Sequence, residues 1–342
     1  MIDDEGHVRE LYKASGGDWG GTSVNKEMEK FYEKIVGKNV VDEFKKDKLE
    51  SALEMTRDFE MKKRAFISSP KNVQLKMPQT MRNMFQTLNQ ITVNKKISEI
   101  DDLKDQVKIK SGKMFISSEI FESFYTPSIS KICAHIQSIL SHPSADGVRL
   151  IFLVGGYAES HILRDALKNK FPEIKLLIPE DPGLSVLKGA VIFGHEPNLI
   201  QERRARYTYG IECSVQFCEG KHREDYKFEI DGAYYCGKIF DRHVRIDSIL
   251  ANDRYQSTQT YSKGEKELAA TLKVYGSTKE NPTYVTDEGC FLVGCKVLEF
   301  ENGKTMGSSV IEVQMSFSGT EIELTLTCKR TGRITRAYLE NM

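Results

Sequence analysis

The stretch Leu150-Ile151-Phe152-Leu153-Val154-Gly155-Gly156 gives the clearest indication of the fold. A short uninterrupted apolar run is typical of a buried strand in a parallel sheet, and the glycine pair predicts a tight turn. A helical pattern follows at once, with Leu163, Ala166 and Leu167 on its inner side. A strand that turns on glycines into a helix brings backbone N–H groups to the sheet edge, where a phosphate or sugar can approach closely.

A second glycine cluster, Gly16-Gly17-Asp18-Trp19-Gly20-Gly21, has the same kind of neighbours. It follows a predicted short strand over residues 9–15. It precedes a predicted helix that ends at Gly37 and whose apolar face is formed by Met28, Phe31, Tyr32, Ile35 and Val36. Two such turns in one chain predict two walls of one nucleotide cleft.

Strands and helices alternate as far as about residue 200, and this order predicts parallel pairing and an α/β domain over residues 1–200. Further helices are predicted over residues 47–64, from Thr126-Pro127 onward and over 184–193, and a strand over 174–178. Residues 65–115 are predicted to be irregular with short strands. We therefore expect a helical or irregular insertion at about 40–120.

Residues 205–342 have the two-residue rhythm of β-strands. Apolar residues alternate with polar ones over 311–317 and again over 322–328, separated by the turn Ser318-Gly319-Thr320. This is the pattern of a hairpin with one buried face, and Thr331-Gly332 predicts a further turn into a final strand. We expect a mainly antiparallel, β-sandwich-like domain.

Composition excludes several classes of protein. The chain of 342 residues is 39% hydrophobic and 29% charged with a formal net charge of zero, which argues against a nucleic-acid partner. No apolar run reaches the roughly 18–20 residues that cross a bilayer. The acidic N-terminus lacks a secretory signal, and the seven cysteines form no C-x-x-C pair, so we expect a reducing, cytoplasmic setting.

Known catalytic and metal-binding patterns are absent from the sequence. There is no P-loop, no strand-linked G-x-G-x-x-G, and no recognisable set of catalytic or metal-ligating residues. Trp19 either stacks on a ligand or packs internally, and we favour packing. Lys63 and Arg64 are either helix-ending cations or face a nucleotide, and the sequence does not separate these alternatives. The basic patch at residues 203–206 is a nuclear address or, more commonly for such a patch, a solvated linker.

Several stretches resemble the actin-like ATPase superfamily. Residues 151–160 (IFLVGGYAES) are similar to its adenosine-binding motif, and residues 184–191 (LSVLKGAV) resemble the helix that follows in 70-kDa heat-shock chaperones. Residues 13–21 (KASGGDWGG) and 59–64 (FEMKKR) resemble the strand and glycine turn after the family's second phosphate loop and the helix beside the adenine. Residues 206–211 and the final hairpin resemble the divergent 12A/12B group of this heat-shock family.

The resemblance implies the second lobe of an actin-like ATPase, followed by a β-rich domain like a chaperone peptide-binding sandwich. It implies ATP or ADP as ligand, protein or peptide clients, and a role as a stress-response chaperone. By motif match, Gly20, Gly21, Gly155 and Gly156 would approach phosphate or ribose. In the same way Glu60, Lys63 and Arg64 would border the adenine.

The sequence also departs from this family. The Asp-x-Gly-x-Thr loop and catalytic lysine of the first lobe, the second acidic phosphate loop and the helical lid are not found, and residues 202–206 replace the apolar interdomain linker. We expect the C-terminal part of a longer protein or a truncated paralogue, with half the cleft and weak or absent binding of ATP and ADP. Magnesium binding would require the missing lobe, and no hydrolysis is expected.

Two other hypotheses remain open at this point. The first is a protein- or peptide-binding module with no nucleotide role. The second is a fragment whose exposed interlobe surface pairs with another chain.

Overall fold

A computed structural model describes residues 2, 5–69, 71–251, 255–263, 269–299, 309–317 and 321–340. In chain order the helices are α1 (Gly21–Val36), α2 (Lys38–Asp47), α3 (Leu49–Ala65), α4 (Gln79–Asn89), α5 (Val93–Ser98), α6 (Ser118–Ser123), α7 (Thr126–Leu140), α8 (His161–Lys170) and α9 (Pro182–His195). The strands are β1 (Val8–Arg9), β2 (Val73–Lys76), β3 (Val107–Lys110), β4 (Lys113–Ile116), β5 (Leu150–Phe152), β6 (Lys175–Leu177), β7 (Ile200–Arg204), β8 (Thr208–Gln216), β9 (Lys227–Ile230), β10 (Ala233–Val244), β11 (Ile249–Ala251), β12 (Ser257–Lys263), β13 (Ala269–Ser277), β14 (Cys290–Glu299), β15 (Ser309–Ser316), β16 (Glu321–Cys328) and β17 (Ile334–Glu340).

The chain is of mixed α/β class with several sheets and divides into two compact units. The α/β unit is Gly16–Val191, and the β-rich unit combines Met1–Ser15 with Ile192–Met342. Residues 1–15 thus group with the β-rich unit. The assignment of residues 1–200 and 205–342 to an ATPase lobe and a peptide-binding sandwich stays a prediction.

Helix α1 forms much of the core of the α/β unit. Its predicted apolar face is buried in full, at Met28, Phe31, Tyr32, Ile35 and Val36. These side chains share one cluster with residues of α2 and α3, including Phe44 and Phe59. The helix ends at Gly37 as the sequence predicts, and this glycine has a φ of +87°, which a side chain would disfavour.

The region predicted to be irregular, residues 65–115, is more ordered than expected. It contains α4, α5 and a three-stranded antiparallel sheet in the order β2-β4-β3. The helix α4 escapes sequence analysis because it buries only Met81 and Phe85 and starts after Pro78 without a side-chain cap. The predicted helix over 47–64 is found as α3.

Residues 150–195 have the predicted strand–helix order. Strands β5 and β6 pair in parallel, with Ile151 opposite Leu176, and α8 connects them. Leu163 and Leu167 of α8 are buried against apolar side chains of α7. Much of the remaining apolar surface here is exposed, namely Leu150, Phe152 and Val154 in and after β5 and Leu184, Val186, Leu187 and Val191 on α9.

The β-rich unit is dominated by two antiparallel sheets, in the orders β14-β13-β8-β10-β9 and β12-β15-β16-β17. Residues of both sheets contribute to one buried cluster, which includes Tyr209, Val274, Val313 and Leu324. The predicted hairpin is confirmed as β15 and β16, in which Ile311 lies opposite Cys328. The predicted turn at 318–320 lies outside the described residues.

A third sheet of the β-rich unit, in the order β1-β7-β11, corrects two expectations. The strand predicted over 9–15 is limited to Val8–Arg9, and it pairs in parallel with β7 instead of leading into the first glycine turn. The predicted linker at residues 202–206 lies largely within β7, because its backbone is paired on both sides, by β1 and by β11.

No helix in the described ranges is long and apolar enough to cross a membrane.

Candidate functional site

The first glycine turn leads directly into α1. Gly20 precedes the helix in an extended conformation (φ −72°, ψ −170°), and no side chain caps the first turn. The Ser23 N–H and hydroxyl both bond to the Gly20 carbonyl, at 2.9 and 2.7 Å. The helix therefore begins with backbone N–H groups that no capping side chain covers, the arrangement that suits an anion.

The second glycine turn leads from β5 into a short 3-10 helix, Gly156–Glu159. Gly155 has a φ of +87° and donates its N–H to the Pro182 carbonyl at 2.7 Å, which fixes the turn against the start of α9. A Cβ on Gly20, Gly155 or Gly156 would meet no other atom within 4 Å in the part of the chain that the structure describes. These positions have open space beside the backbone.

The end of α3 joins the first glycine turn through Lys63. This lysine is 8% exposed, and its Nζ donates to the Gly21 carbonyl at 3.0 Å, to Asn25 Oδ1 at 2.8 Å and to Glu60 Oε1 at 2.6 Å. An ammonium group has three protons, and each has an acceptor here. Lys63 therefore ties α3 to the start of α1.

Glu60 is held as a carboxylate. Burial opposes its ionisation, but hydrogen bonds from Lys63 and Asn25 and the charges of Lys63 and Arg64 outweigh that effect, so the pKa of Glu60 lies below its usual value. Asn25 Nδ2 donates to Glu60 Oε1 at 2.5 Å. The group is negatively charged at neutral pH.

Arg64 has a different environment, with 66% of its side chain exposed. Its guanidinium lies 3.8 Å from Glu60 Oε2, on the same helix, and 4.0 Å from Glu159 Oε2, at the end of the second glycine turn. Arg64 therefore brings the end of α3 close to that turn. A Cβ on Gly183, at the start of α9, would lie 2.9 Å from Glu159 Oε1 and 4.0 Å from Gly156 Cα. Arg64, Glu159, Gly156 and Gly183 are therefore contiguous.

Tyr157 connects the two glycine turns. A Cβ on Gly21 would lie 3.7 Å from Tyr157 Cδ2 and 3.3 Å from Lys63 Nζ. Burial raises the pKa of Tyr157, against a smaller opposing effect of the Ser128 hydroxyl. Tyr157 directly follows Gly156 in the chain, so both predicted turns and the end of α3 meet at this side chain and Lys63.

Trp19 is half-buried and makes contacts within the protein. Its ring meets His135 edge-on with the centroids 5.4 Å apart, and its backbone oxygen accepts a hydrogen bond from the Ser128 hydroxyl. A Cβ on Gly17 would lie 2.6 Å from the indole ring, so this glycine permits the close approach.

The predicted residues of the α/β unit thus converge, and the structure adds Asn25, Tyr157, Glu159 and Gly183 to them. Asn25 lies one helical turn after Gly21 on α1, so its spacing could have identified it from the sequence as a neighbour of the first glycine turn. Tyr157 and Glu159 stand inside the stretch 151–160 whose resemblance is described above. Within the described ranges no group of three His, Cys, Asp or Glu residues is placed to hold a metal ion.

The chain thus has a glycine-turn site in its α/β unit and also contains a β-rich unit, as the resemblance to the 70-kDa heat-shock family implies. Comparison with known proteins confirms that resemblance at the level of its 12A/12B group, to which the chain is related in sequence. No family model matches the chain.

The chain is 31% identical to human (Homo sapiens) heat shock 70 kDa protein 12A over 330 residues, which are 94% of this chain and 48% of the relative. The mouse (Mus musculus) protein of the same name is 30% identical over the same shares of the two chains. Human heat shock 70 kDa protein 12B is 29% identical over a 356-residue alignment, covering 98% of this chain and 50% of the relative. The chain spans about half the length of the curated relatives it matches.

Proposed function

We propose that the α/β unit forms one wall of an adenine-nucleotide site of the actin-like ATPase type, in an ATP-binding, chaperone-related protein of the cytoplasm. The observation that carries the proposal is the convergence of the two glycine turns and the end of α3 around Lys63 and Tyr157. The three segments are distant in sequence, and each resembles a segment of the actin-like ATPase superfamily that lies beside the nucleotide.

The proposed roles follow from the environment of each group. The open backbone at Gly20 and Gly156 accepts phosphate or ribose, close to the uncapped start of α1. Arg64 offers an exposed planar guanidinium for stacking on the adenine. Lys63 and Glu60 position these groups, because the hydrogen bonds of Lys63 are made within the protein.

Hydrolysis is not part of the proposal for this chain. Phosphoryl transfer needs a metal ion and charged groups around the transferring phosphoryl group. The resemblance assigns those groups to segments that the sequence does not contain. We therefore expect this chain to bind ADP or ATP without measurable turnover. Binding of Mg²⁺ would require those segments.

Calorimetric titration with ADP and ATP tests the binding. The double variant Gly20→Val and Gly156→Val places side chains in open space at positions whose φ is not in the left-handed region, so the fold is retained while the ligand is excluded. The matched control Gly189→Val adds the same side chain in open space on α9. We expect the double variant to lose binding, the control to keep it, and Arg64→Met to weaken it roughly tenfold, equivalent to about 1.4 kcal/mol. Equal binding by the double variant and the original chain would contradict the proposal.

The second candidate is a peptide-binding module that does not depend on nucleotide. It is favoured by the strand order of the β-rich unit, in which β12 and β9 are terminal strands of their sheets. A terminal strand can pair with an extended peptide. Titration of the whole chain with an extended apolar peptide distinguishes the candidates, since peptide binding together with silence toward ADP and ATP would favour this one.

A further inference from the structure

The three-stranded sheet β2-β4-β3 has a buried face and an outer face. Successive side chains of a strand point to opposite faces of the sheet. One face packs into the core of the α/β unit through Leu75, Val107, Met114 and Ile116. The outer face therefore carries the alternate residues, namely Gln74, Lys76, Lys108, Lys110, Lys113 and Phe115. Four of these six residues are lysines, and the three strands contain no Asp or Glu.

Three of the four lysines form one row across the sheet. Lys113 of the central strand lies opposite Lys76 of β2 on one side and opposite Lys110 of β3 on the other. Since neighbouring strands are about 4.8 Å apart, the three Cα atoms span roughly 10 Å. Lys108 is in the next row of the same face, opposite Phe115. All four lysines are exposed, and we refer to them together as the lysine face.

The lysine face has an excess of positive charge. Lys76 Nζ lies 3.1 Å from Glu54 Oε2, in an exposed ion pair of the kind that contributes little to stability. No residue in the described ranges forms an ion pair or hydrogen bond with the side chains of Lys108, Lys110 or Lys113. Four lysines against one glutamate leave three positive charges. Like charges directly opposite each other destabilise a sheet, so the row has a cost in stability that a neighbouring anionic surface would reduce.

We propose that the lysine face binds the surface of a lipid bilayer that contains anionic phospholipids. Its charges are spread over two rows of a sheet, an arrangement that suits an extended anionic surface. The lysine ammonium is a point charge on a flexible stem, so it attracts phosphate-bearing head groups without requiring one fixed geometry. Clusters of about four or more basic residues recognise anionic lipid surfaces, and each contributes about 1 kcal/mol close to the surface.

A bilayer is favoured over a nucleic acid as the partner of this face. The chain has a formal net charge of zero, whereas nucleic-acid binding depends on a surplus of cations that neutralise many phosphates. The four basic residues on the outer face are all lysines, and the bidentate arginine contacts that commonly read bases are absent from these three strands. The lysine face is separate from Lys63 and the glycine turns, so this inference does not rest on the nucleotide site.

Co-sedimentation of the whole chain with lipid vesicles tests the proposal. One set of vesicles contains phosphatidylcholine alone, and the other contains equal amounts of phosphatidylcholine and phosphatidylserine. We expect the chain to sediment with the mixed vesicles only, and added salt to weaken this binding because it screens exposed charges. Binding through the exposed apolar residues of α9 would occur equally with both sets of vesicles and would contradict the proposal.

Three variants separate the lysine face from lysines in general. The first combines Lys108→Gln, Lys110→Gln and Lys113→Gln, and it should bind the mixed vesicles at least about tenfold more weakly. Arginine at the same three positions keeps the charge and should retain binding. The matched control removes three exposed lysines elsewhere in the α/β unit, through Lys131→Gln, Lys168→Gln and Lys175→Gln, and it should bind like the original chain. All these positions are exposed, so the fold is retained.

Two results would overturn the proposal. The first is unchanged binding by the glutamine variant of the lysine face, or an equal loss of binding in the control. The second is a double-stranded DNA that binds the chain more tightly than the mixed vesicles do at the same salt concentration and loses this binding with the same variant. That result would assign the lysine face to a nucleic acid.

Discussion

At the scale of single residues, Lys63 and Arg64 are neighbours in sequence with opposite environments. Lys63 is buried and its ammonium protons are bonded to Gly21, Asn25 and Glu60. The Arg64 side chain is largely exposed and lies beside the carboxylates of Glu60 and Glu159. One cation therefore holds the elements together, while the other remains accessible to a ligand.

Among the histidines that the structure describes, His243 has the most displaced pKa. Its Nδ1 lies 2.8 Å from Ser257 Oγ and its Nε2 lies 2.7 Å from Tyr261 OH, which donates to Asp241 Oδ2 at 2.6 Å. Since the tyrosine proton is used by Asp241, we assign the imidazole proton to Nε2 and the serine proton to the bond with Nδ1. Burial lowers the pKa of His243 from 6.5 to about 4.

This displaced pKa predicts acid sensitivity. The unfolded chain protonates His243 below its ordinary pKa of 6.5, whereas the folded protein keeps it neutral down to about 4. Stability from this residue is therefore complete above pH 6.5 and is lost as the pH falls toward 4, by up to about 3 kcal/mol.

Urea denaturation of the original chain and of His243→Gln at several pH values between 7 and 4.5 measures this effect. We expect a flatter pH dependence for the variant, because glutamine does not titrate. The control His161→Gln changes the same residue type at an exposed position on α8 and should retain the original slope. If the free energy of unfolding fell with pH equally in all three proteins, His243 would not be the cause of the acid sensitivity.

At the scale of elements, the sequence predicts those whose apolar pattern is repeated several times. Helix α1 buries a full face and the β15–β16 hairpin buries alternate residues, so both are found as expected. Helix α4 has two buried residues, too few to show a period. The pairing of β1 with β7 joins segments about 190 residues apart, and no local pattern contains that information. The same limit applies to the site: its glycines and the α3 cations are visible in the sequence, but the contact with Glu159 is not.

Gly37 shows how one backbone conformation separates two elements. It ends α1 and precedes α2 with φ +87° and ψ 146°, and a Cβ there would meet no described atom within 4 Å. The cost of a side chain would therefore come from the backbone alone. We expect Gly37→Ala to lower the free energy of unfolding by about 1–3 kcal/mol.

Gly189→Ala is the matched control, because it adds the same methyl group in open space inside α9. It should raise the free energy of unfolding by about 0.5–1 kcal/mol, the usual difference between alanine and glycine in a helix. Urea denaturation measures both changes. If both variants changed the free energy of unfolding by a similar amount, the backbone conformation at Gly37 would not be the reason for glycine at that position.

At the scale of the whole molecule, the exposed apolar residues of β5 and α9 stand out. A helix that is apolar around its circumference is normally buried, yet Leu184, Val186, Leu187 and Val191 of α9 are all more than half exposed. Phe152 of β5 is 61% exposed. Exposed large apolar side chains in such number commonly mediate association.

We therefore expect this chain to self-associate with increasing concentration. Light scattering should show a mass that rises from that of one chain toward twice that value. The variant Leu187→Glu with Val191→Glu places two charges one helical turn apart on α9 and should keep the chain monomeric. The control variant Leu53→Glu, at an exposed leucine of α3, should still self-associate like the original chain. A constant monomer mass for the original chain would contradict the expectation.

Trp19 is the single tryptophan of the chain, and it directly precedes Gly20. Its indole ring is in contact with the Gly17 backbone and with the His135 ring. The protein thus carries one tryptophan fluorophore, which lies two residues before the start of α1. Its emission reports on this turn alone, so a change in wavelength or in quenching upon adding a compound would locate the event without any attached dye.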